Sequence, residues 1–254
     1  MKLACLLAVL STLFLFSCGT RTTETSSVKE VAVDSLSDTL LSEPEPEVVE
    51  ERPITELEQR LIDQGLVNVM VIDSSFILDV KYATADNFMG KVLYGEYDQC
   101  YLQPEAALKL KKAHDILKKN HPSLRFILYD CVRPRSVQQE MWDLVKGTDQ
   151  QQYVASPKSG SIHNFGAAVD LSLTHLDTGL VDMGTPFDFF GKEAQPRYED
   201  AYVQEGILRH EHVTNRRVLR AAMLEAGFSG ILSEWWHFNA FPNEYVKSTF
   251  QIVE

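Results

Sequence analysis

The alternation of apolar and polar positions predicts a mixed domain of helices and strands that begins near residue 53. Apolar residues recur at the spacing of one helix face in four segments, so we predict helices over 54–66, 104–120, 135–145 and 215–226. Shorter β-rich runs predict strands over 67–72, 76–82, 124–129, 167–173 and 234–238. Because helices and strands do not alternate strictly, the pattern favours an α+β fold. We expect a single domain with a mainly antiparallel central sheet flanked by helices.

A different pattern marks the N-terminus. Lys2 precedes an apolar run over residues 3–16, which is too short for a good transmembrane helix and is typical of a secretory signal. The run ends in Leu15-Phe16-Ser17-Cys18, which resembles a bacterial lipobox. We therefore predict that residues 1–18 are a lipoprotein-type signal segment with lipidation at Cys18. An incidental cysteine in an ordinary signal peptide is the alternative.

The next segment has the composition of a linker. Residues 19–52 carry nine acidic and three basic side chains and include the run Glu43-Pro-Glu-Pro-Glu47. Such a segment buries too little apolar surface to fold, and its prolines and like charges keep it extended. We predict an acidic disordered tether between Cys18 and a globular domain over residues 53–254. The domain would then lie in the bacterial cell envelope, held to a membrane by lipid and facing the periplasm or the cell surface.

Charge and cysteine usage narrow the partners and the compartment. The net charge of −12 argues against nucleic acid as a partner, because a phosphate backbone needs a basic face. Cys5 would leave with the signal, so Cys100 and Cys131 remain in a compartment where disulfides persist. The sequence leaves a disulfide and two free thiols equally open, since it does not give the distance between the two Cα atoms.

Two segments in the C-terminal half of the chain contain the residue types that a catalytic zinc site needs. His163 and Asp170 belong to the first, and the tetrad Glu234-Trp-Trp-His237 adds a second histidine and a glutamate. Such a site needs three protein ligands, an open position for water and a carboxylate that moves the water's proton. On one continuous strand His163 and Asp170 would face opposite sides, so they converge only through a bend, for which 164–166 is suited. Taken alone, each pair is more often structural than metal-binding.

Arg133 is the third candidate for chemistry. It precedes Pro134, which disfavours the helical conformation for the residue before it, so Arg133 is expected at the end of a strand. A guanidinium there can stabilise the oxyanion of a tetrahedral transition state, although a lone arginine is more often solvated or ion-paired. The histidines His210 and His212 would diverge on a helix, and we interpret them as a polar helix start rather than as metal ligands.

As a set, these candidates resemble the signature of zinc D-Ala-D-Ala dipeptidases of the VanX type, within the M15 peptidase family. The set comprises His163, Asp170, Glu234, His237 and Arg133. Three further segments resemble the family in the same order: 81–90, 182–188, and 215–217 with 227–228. The resemblance extends from about residue 65 to 243. Asn164 and Phe165 depart from the small or polar residues expected after the first ligand, and we expect them to affect the rim of the pocket more than the metal.

The resemblance implies a role for each member of the set. One Zn²⁺ per chain would be bound by His163, Asp170 and His237. Glu234 would be the catalytic acid and base, and Arg133 would stabilise the transition state. The metal ion remains an inference from the resemblance, because two histidines and one aspartate accept several divalent ions.

Three more positions match residues with which the family binds its substrate. Asp188 and Tyr82 match the group that holds the substrate ammonium, and Ser161 matches a position near the substrate carboxylate. An acidic side chain that binds a free amino group restricts the substrate to dipeptides, because a longer peptide has no ammonium at that place.

The sequence therefore predicts zinc-dependent hydrolysis of D-Ala-D-Ala, or of a related D,D-dipeptide, in the bacterial cell envelope. The alternative is a D,D- or L,D-carboxypeptidase of the same metal-site family that trims peptidoglycan stems. A third hypothesis is an envelope protein that binds peptidoglycan fragments without catalysis. The presence of Glu234 and Arg133 argues against it, because binding alone needs neither residue.

Overall fold

The computed structural model describes residues 52–254. The predicted signal segment, the lipidation site Cys18 and the tether up to residue 51 lie outside the described residues. Within residues 52–254, no helix has both the length and the apolar character that a membrane span requires. The described residues form an α+β domain, which confirms the predicted fold class.

The described part of the chain forms seven α-helices: α1 Glu56–Asp63, α2 Val69–Ile72, α3 Pro104–Asn120, α4 Arg135–Val145, α5 Glu199–Gln204, α6 His210–Glu225 and α7 Asn243–Thr249. Helices α3 and α4 have the predicted bounds, and the proline at the first position of α3 suits a helix start. Helix α6 begins at His210, five residues earlier than predicted, which confirms that the two histidines belong to a helix start.

The same part of the chain forms eight strands: β1 Val67–Asn68, β2 Ile77–Leu78, β3 Tyr101–Leu102, β4 Leu124–Asp130, β5 Ala168–His175, β6 Gly179–Leu180, β7 Ser229–Gly230 and β8 His237–Asn239. The main sheet has the order β2-β4-β5-β8-β7, and β6 pairs with β5 beside it. Only the β2–β4 pair is parallel in this sheet. Strands β1 and β3 form a separate antiparallel pair.

The long strands β4 and β5 lie at the centre of the sheet and are buried almost throughout. Helices α3 and α6 contact each other and cover this sheet with one apolar face each. Leu110 and Leu117 on α3 and Leu219 and Met223 on α6 are fully buried, at spacings that place them on one side of their helix. Burial of a side chain of this size contributes about 1.5–3 kcal/mol. This packing holds the ends of the central strands in place.

Three strand predictions are wrong in their extent. Residues 67–72 end their strand after Asn68, whose side chain accepts a hydrogen bond from the backbone N–H of Met70 at 2.9 Å and caps α2. In the predicted strand 76–82, only β2 pairs with another strand, and a 3₁₀ turn begins at Lys81. Near the C-terminus Glu234 lies in a loop, and β8 begins only at His237.

The question of Cys100 and Cys131 is settled in favour of a disulfide. Both residues are buried and their Cα atoms are 5.3 Å apart, within the range that a disulfide spans. Cys100 immediately precedes β3 and Cys131 immediately follows β4. The backbone N–H of Val132 also donates to the carbonyl of Tyr101 at 3.2 Å. The disulfide therefore joins β3 to the end of β4, next to Arg133.

We expect the disulfide to stabilise the domain substantially, because it closes a loop across 31 residues. Replacement of both cysteines in a Cys100→Ala, Cys131→Ala variant should lower the free energy of unfolding by roughly 3–4 kcal/mol. Urea denaturation of the oxidised wild type and the double variant measures this difference. Equal urea midpoints for the two proteins would contradict the expected stabilisation.

Candidate active site

Three site residues lie side by side across three neighbouring strands. Asp130 at the end of β4 pairs with Asp170 on β5, and Asp170 pairs with His237 at the start of β8. The register of β4 shifts between Leu128 and Asp130. Such a bulge turns the following side chain, and bulges are common beside functional sites. The sheet thus brings two carboxylates and one imidazole to the same edge.

His163 reaches this edge from a 3₁₀ turn, Ile162–Phe165, that precedes β5. Gly166 ends the turn with a φ of 64°, a conformation that favours glycine. A Cβ at Gly166 would also lie 2.6 Å from Cδ2 of Leu66, so no larger side chain fits without rearrangement. The bend predicted over 164–166 is therefore present, and it lets His163 and Asp170 converge.

Three potential ligand atoms meet at one point. The Nε2 atom of His163 lies 3.1 Å from Nδ1 of His237, and Nδ1 of His237 lies 2.9 Å from Oδ1 of Asp170. The third side, from His163 Nε2 to Asp170 Oδ1, is 3.3 Å. Tetrahedral zinc with bonds of about 2.0–2.2 Å separates its ligand atoms by about 3.3–3.6 Å, close to these three distances. The donor set and its spacing therefore fit zinc.

Hydrogen bonds behind the ligands select the ring nitrogens that face this point. The Nδ1 atom of His163 lies 2.7 Å from the carbonyl oxygen of Cys131, to which it donates, and this leaves Nε2 free to bind a metal. The Nε2 atom of His237 lies 2.9 Å from Oδ1 of Asn239, so its Nδ1 atom is left free in the same way. Both rings are oriented by partners that a metal would not displace.

Arg133 is buried in a network that holds its guanidinium in one orientation. Its Nε and Nη2 atoms donate to Oδ2 of Asp130 at 2.8 and 2.6 Å, and Nη1 donates to Gln138 at 3.1 Å. The Tyr94 hydroxyl donates to the other oxygen of Asp130 at 2.6 Å. Nη2 of Arg133 also lies 3.7 Å from Oδ2 of Asp170. The positive charge is therefore held beside the predicted metal ligands.

Glu234 lies on the wall of a cavity of about 330 Å³ that also contains the candidate ligands. The cavity is lined in addition by Ser161, Tyr82, Arg133 and Asp188. Part of the Glu234 side chain is open to this cavity. Burial by the surrounding protein nevertheless raises its pKa to about 7, and the negative charges of Asp170 and Asp188 add to the shift.

Asp188 faces the same cavity from the loop between β6 and α5. Its Oδ2 atom accepts a hydrogen bond from the hydroxyl of Tyr82 at 2.8 Å. Burial raises the pKa of Asp188 to about 7 despite this hydrogen bond. Its backbone has a φ of 58°, which is uncommon outside glycine and indicates that the surrounding loop imposes this conformation.

The structure places all the residues of the predicted site in or beside one cavity, and it corrects one expectation about its rim. Asn164 and Phe165 are buried and do not line the cavity. The Asn164 amide instead donates to the carbonyl of Arg133 at 2.8 Å, so it fixes the turn that carries His163. His212, which was considered as a metal ligand, does not line this cavity either, and its Nε2 atom lies 3.2 Å from Oδ2 of Asp182.

Sequence reasoning missed the residues that hold Arg133. Asp130 lies three positions before Arg133 and Gln138 lies five positions after it, while Tyr94 is distant in the chain. An aspartate at a strand end, three residues before an arginine, could have indicated the ion pair. No local signal pointed to Tyr94.

Comparison with known proteins agrees with this geometry. The model of the M15 peptidase family described as D-Ala-D-Ala dipeptidase matches residues 63–253. A D-alanyl-D-alanine dipeptidase of Escherichia coli (strain K12) is 34% identical over 173 residues, which are 68% of this chain and 83% of that protein. One from Enterococcus faecium is 33% identical over 191 residues, which are 66% of this chain and 89% of that protein. The chain therefore belongs to the M15 peptidase family of D-Ala-D-Ala dipeptidases.

Proposed function

We propose that this chain hydrolyses D-Ala-D-Ala, or a closely related D,D-dipeptide, with one zinc ion per chain held by His163, Asp170 and His237. The observation that carries the proposal is the convergence of three ligand atoms within 3.3 Å of one another. The same cavity contains a carboxylate with a raised pKa and a fixed guanidinium. Membership of the dipeptidase family supports the substrate.

The side chains divide the work of amide hydrolysis. A zinc ion held by His163, Asp170 and His237 would supply Lewis-acid chemistry, which polarises a carbonyl and makes water a better nucleophile. Glu234 takes a proton from the attacking water and passes it to the leaving amine, and a pKa near 7 suits a group that both accepts and donates. Arg133 stabilises the negative charge on the carbonyl oxygen, and its ion pair with Asp130 keeps the guanidinium in place.

The two ends of the dipeptide are bound separately from the reacting bond. The carboxylate of Asp188 binds the substrate ammonium, and the Tyr82 hydroxyl orients that carboxylate. Ser161 lies on the cavity wall next to His163 and is suited to receive the substrate carboxylate. Its hydroxyl oxygen accepts from the backbone N–H of His163, which leaves the hydroxyl proton free to donate. A peptide extended at its amino end offers Asp188 no ammonium.

We also propose that the protein acts in the bacterial cell envelope, anchored by lipid at Cys18. The short apolar run that ends in Leu15-Phe16-Ser17-Cys18 and the acidic segment after it support this location. A buried disulfide between Cys100 and Cys131 is also typical of proteins that fold outside the reducing cytoplasm.

Glu234→Gln should retain zinc and lose activity, because the amide fills the same space but cannot move a proton. We expect kcat on D-Ala-D-Ala to fall by about 10²–10⁴-fold. His237→Ala should lose both zinc and activity, since it removes a ligand atom. Zinc content and alanine release measure these effects. Glu244→Gln on the exposed face of α7 is the matched control and should behave as wild type. Retained turnover in Glu234→Gln would remove Glu234 as the base.

Asp188→Asn should weaken recognition of the free amino group. We expect KM for D-Ala-D-Ala to rise about ten- to a hundredfold, the value of a lost charged hydrogen bond, while zinc content stays unchanged. The preference for D-Ala-D-Ala over N-acetyl-D-Ala-D-Ala should fall at the same time. The exposed Asp177→Asn is the control. Cleavage of the acetylated dipeptide or a stem pentapeptide by the wild type would instead indicate a carboxypeptidase.

Cys18→Ser should release the full-length protein from its membrane. The wild type is expected in the membrane fraction, where it incorporates a labelled fatty acid. The variant should incorporate none, because serine has no thiol to modify. Cys5→Ser, which lies within the apolar run, is the control and should leave both properties unchanged. Equal labelling of the Cys18 variant and the wild type would reject the anchor.

A further inference from the structure

Residues 215–217 resemble the dipeptidase family, and the structure places the middle residue, Arg216, against the segment that carries Asp188. Arg216 belongs to α6 and is one of the most deeply buried side chains, with 1% of its surface exposed. A buried guanidinium is costly unless its donors are satisfied. The groups that satisfy it therefore indicate what it does.

Arg216 pairs its charge with the buried Glu199 on α5, 3.6 Å away, and its hydrogen bonds go to the loop that carries Asp188. We call residues 183–193 the amine loop. Nε of Arg216 donates to the carbonyl of Met183 at 2.7 Å, at the start of this loop. Nη1 donates to the carbonyl of Glu193 at 3.0 Å, at its end. One planar guanidinium thus joins both ends of the amine loop, and Asp188 lies near the middle of the segment that it closes.

The same face of α6 holds the approach to the amine loop. His212, Asn215 and Arg216 are spaced so that they lie on one side of the helix. The Asn215 amide donates to the carbonyl of Asp182 at 2.8 Å. The loop passes so close to His212 that a Cβ on Gly184 would lie 2.5 Å from its ring nitrogen. The helix therefore contacts the chain from Asp182 to Thr185, where the amine loop begins.

A second contact joins the amine loop to the segment of the catalytic glutamate. The indole Nε1 of Trp235, the residue after Glu234, donates to Oγ1 of Thr185 at 2.9 Å. Nη2 of Arg216 approaches the same oxygen at 3.5 Å, and a hydroxyl oxygen can accept both. Thr185 is three residues before Asp188. Further along, the ring of Phe187 lies 5.4 Å from that of Trp236.

We infer that Arg216, with Thr185, is a positioning residue that fixes the distance between Asp188 and Glu234, and thereby sets the length of the peptide that the site accepts. This inference rests on the proposed dipeptidase function. Asp188 binds the amino end and Glu234 serves the reacting bond, so their separation must match a single residue of substrate. The unusual φ of 58° at Asp188 requires support, and the closed base of the amine loop supplies it.

Arg216→Lys and Thr185→Val test the inference. Lysine keeps the charge but cannot reach two carbonyls in fixed geometry, and valine keeps the shape of threonine without the acceptor. We expect each to raise KM for D-Ala-D-Ala by about tenfold, the effect of one hydrogen bond, with little change in kcat or zinc content. The preference for D-Ala-D-Ala over N-acetyl-D-Ala-D-Ala should fall in parallel. Arg217→Met, an exposed neighbour paired with Asp200, is the matched control.

A merely structural role would give a different pattern. In an Asp188→Asn background, Thr185→Val should cause no further loss of preference, because the residue it positions no longer binds the ammonium. Equal losses in both backgrounds would overturn the inference, as would effects no larger than those of Arg217→Met. If Arg216→Lys fails to fold, Thr185→Val decides alone.

Hydrogen exchange separates this inference from the proposed function. Backbone amides of residues 183–193 should exchange faster in Arg216→Lys than in the wild type or Arg217→Met, whatever the substrate is. Unchanged exchange would reject the role of Arg216 in closing the loop. A wild type that cleaves no dipeptide would reject the proposed function instead, while its exchange would still report on the loop.

Discussion

The pairing of β5 with β8 is the constraint on which the active site depends. It places Asp170 directly opposite His237, so that two of the three candidate ligands are set by backbone hydrogen bonds. The neighbouring pair of Val169 with Phe238 is buried in the core, which fixes the register. A slip by one residue would turn Asp170 or His237 to the other face of the sheet. His163 then needs only the tight turn at Gly166 to reach the same point.

Buried charge is the second constraint, and it explains why the site suits a cation. Asp130 and Asp170 are both buried at the same edge of the sheet, and Arg133 is the guanidinium between them. Its bonds to Asp130 are short, whereas Asp170 lies 3.7 Å away and is left mainly to the two histidines. A buried carboxylate needs a positive partner. A divalent ion at the three ligand atoms would supply that charge, so the arrangement that binds the metal also relieves the cost of burying Asp170.

Much of the fold and of the candidate site could be predicted from the sequence, because the patterns that indicate these helices and the bend before β5 are local. The bounds of α3 and α4 follow from apolar spacing and a proline, and the bend at 164–166 follows from the parity of His163 and Asp170. Periodicity failed where a side chain redirects the backbone, as Asn68 does by capping α2. The partners of Arg133 and the role of Arg216 depend on contacts between distant segments, which no local pattern carries. The pairing of the two cysteines required the three-dimensional distance for the same reason.

The proposed roles assign the chemistry and the recognition of the substrate to different elements of the fold. The ligands, Asp130 and Arg133 lie on or next to the central strands, where packing on both faces leaves little freedom. Asp188 lies on a loop whose two ends are hydrogen-bonded to Arg216 of α6. Catalytic groups on rigid elements keep their geometry, whereas loops tolerate change in length and sequence. Because Asp188 and Phe190 of the amine loop line the cavity, changes within the loop could alter the accepted peptide without disturbing the metal ligands. A family with one metal site can then include enzymes for free dipeptides and enzymes for longer stems.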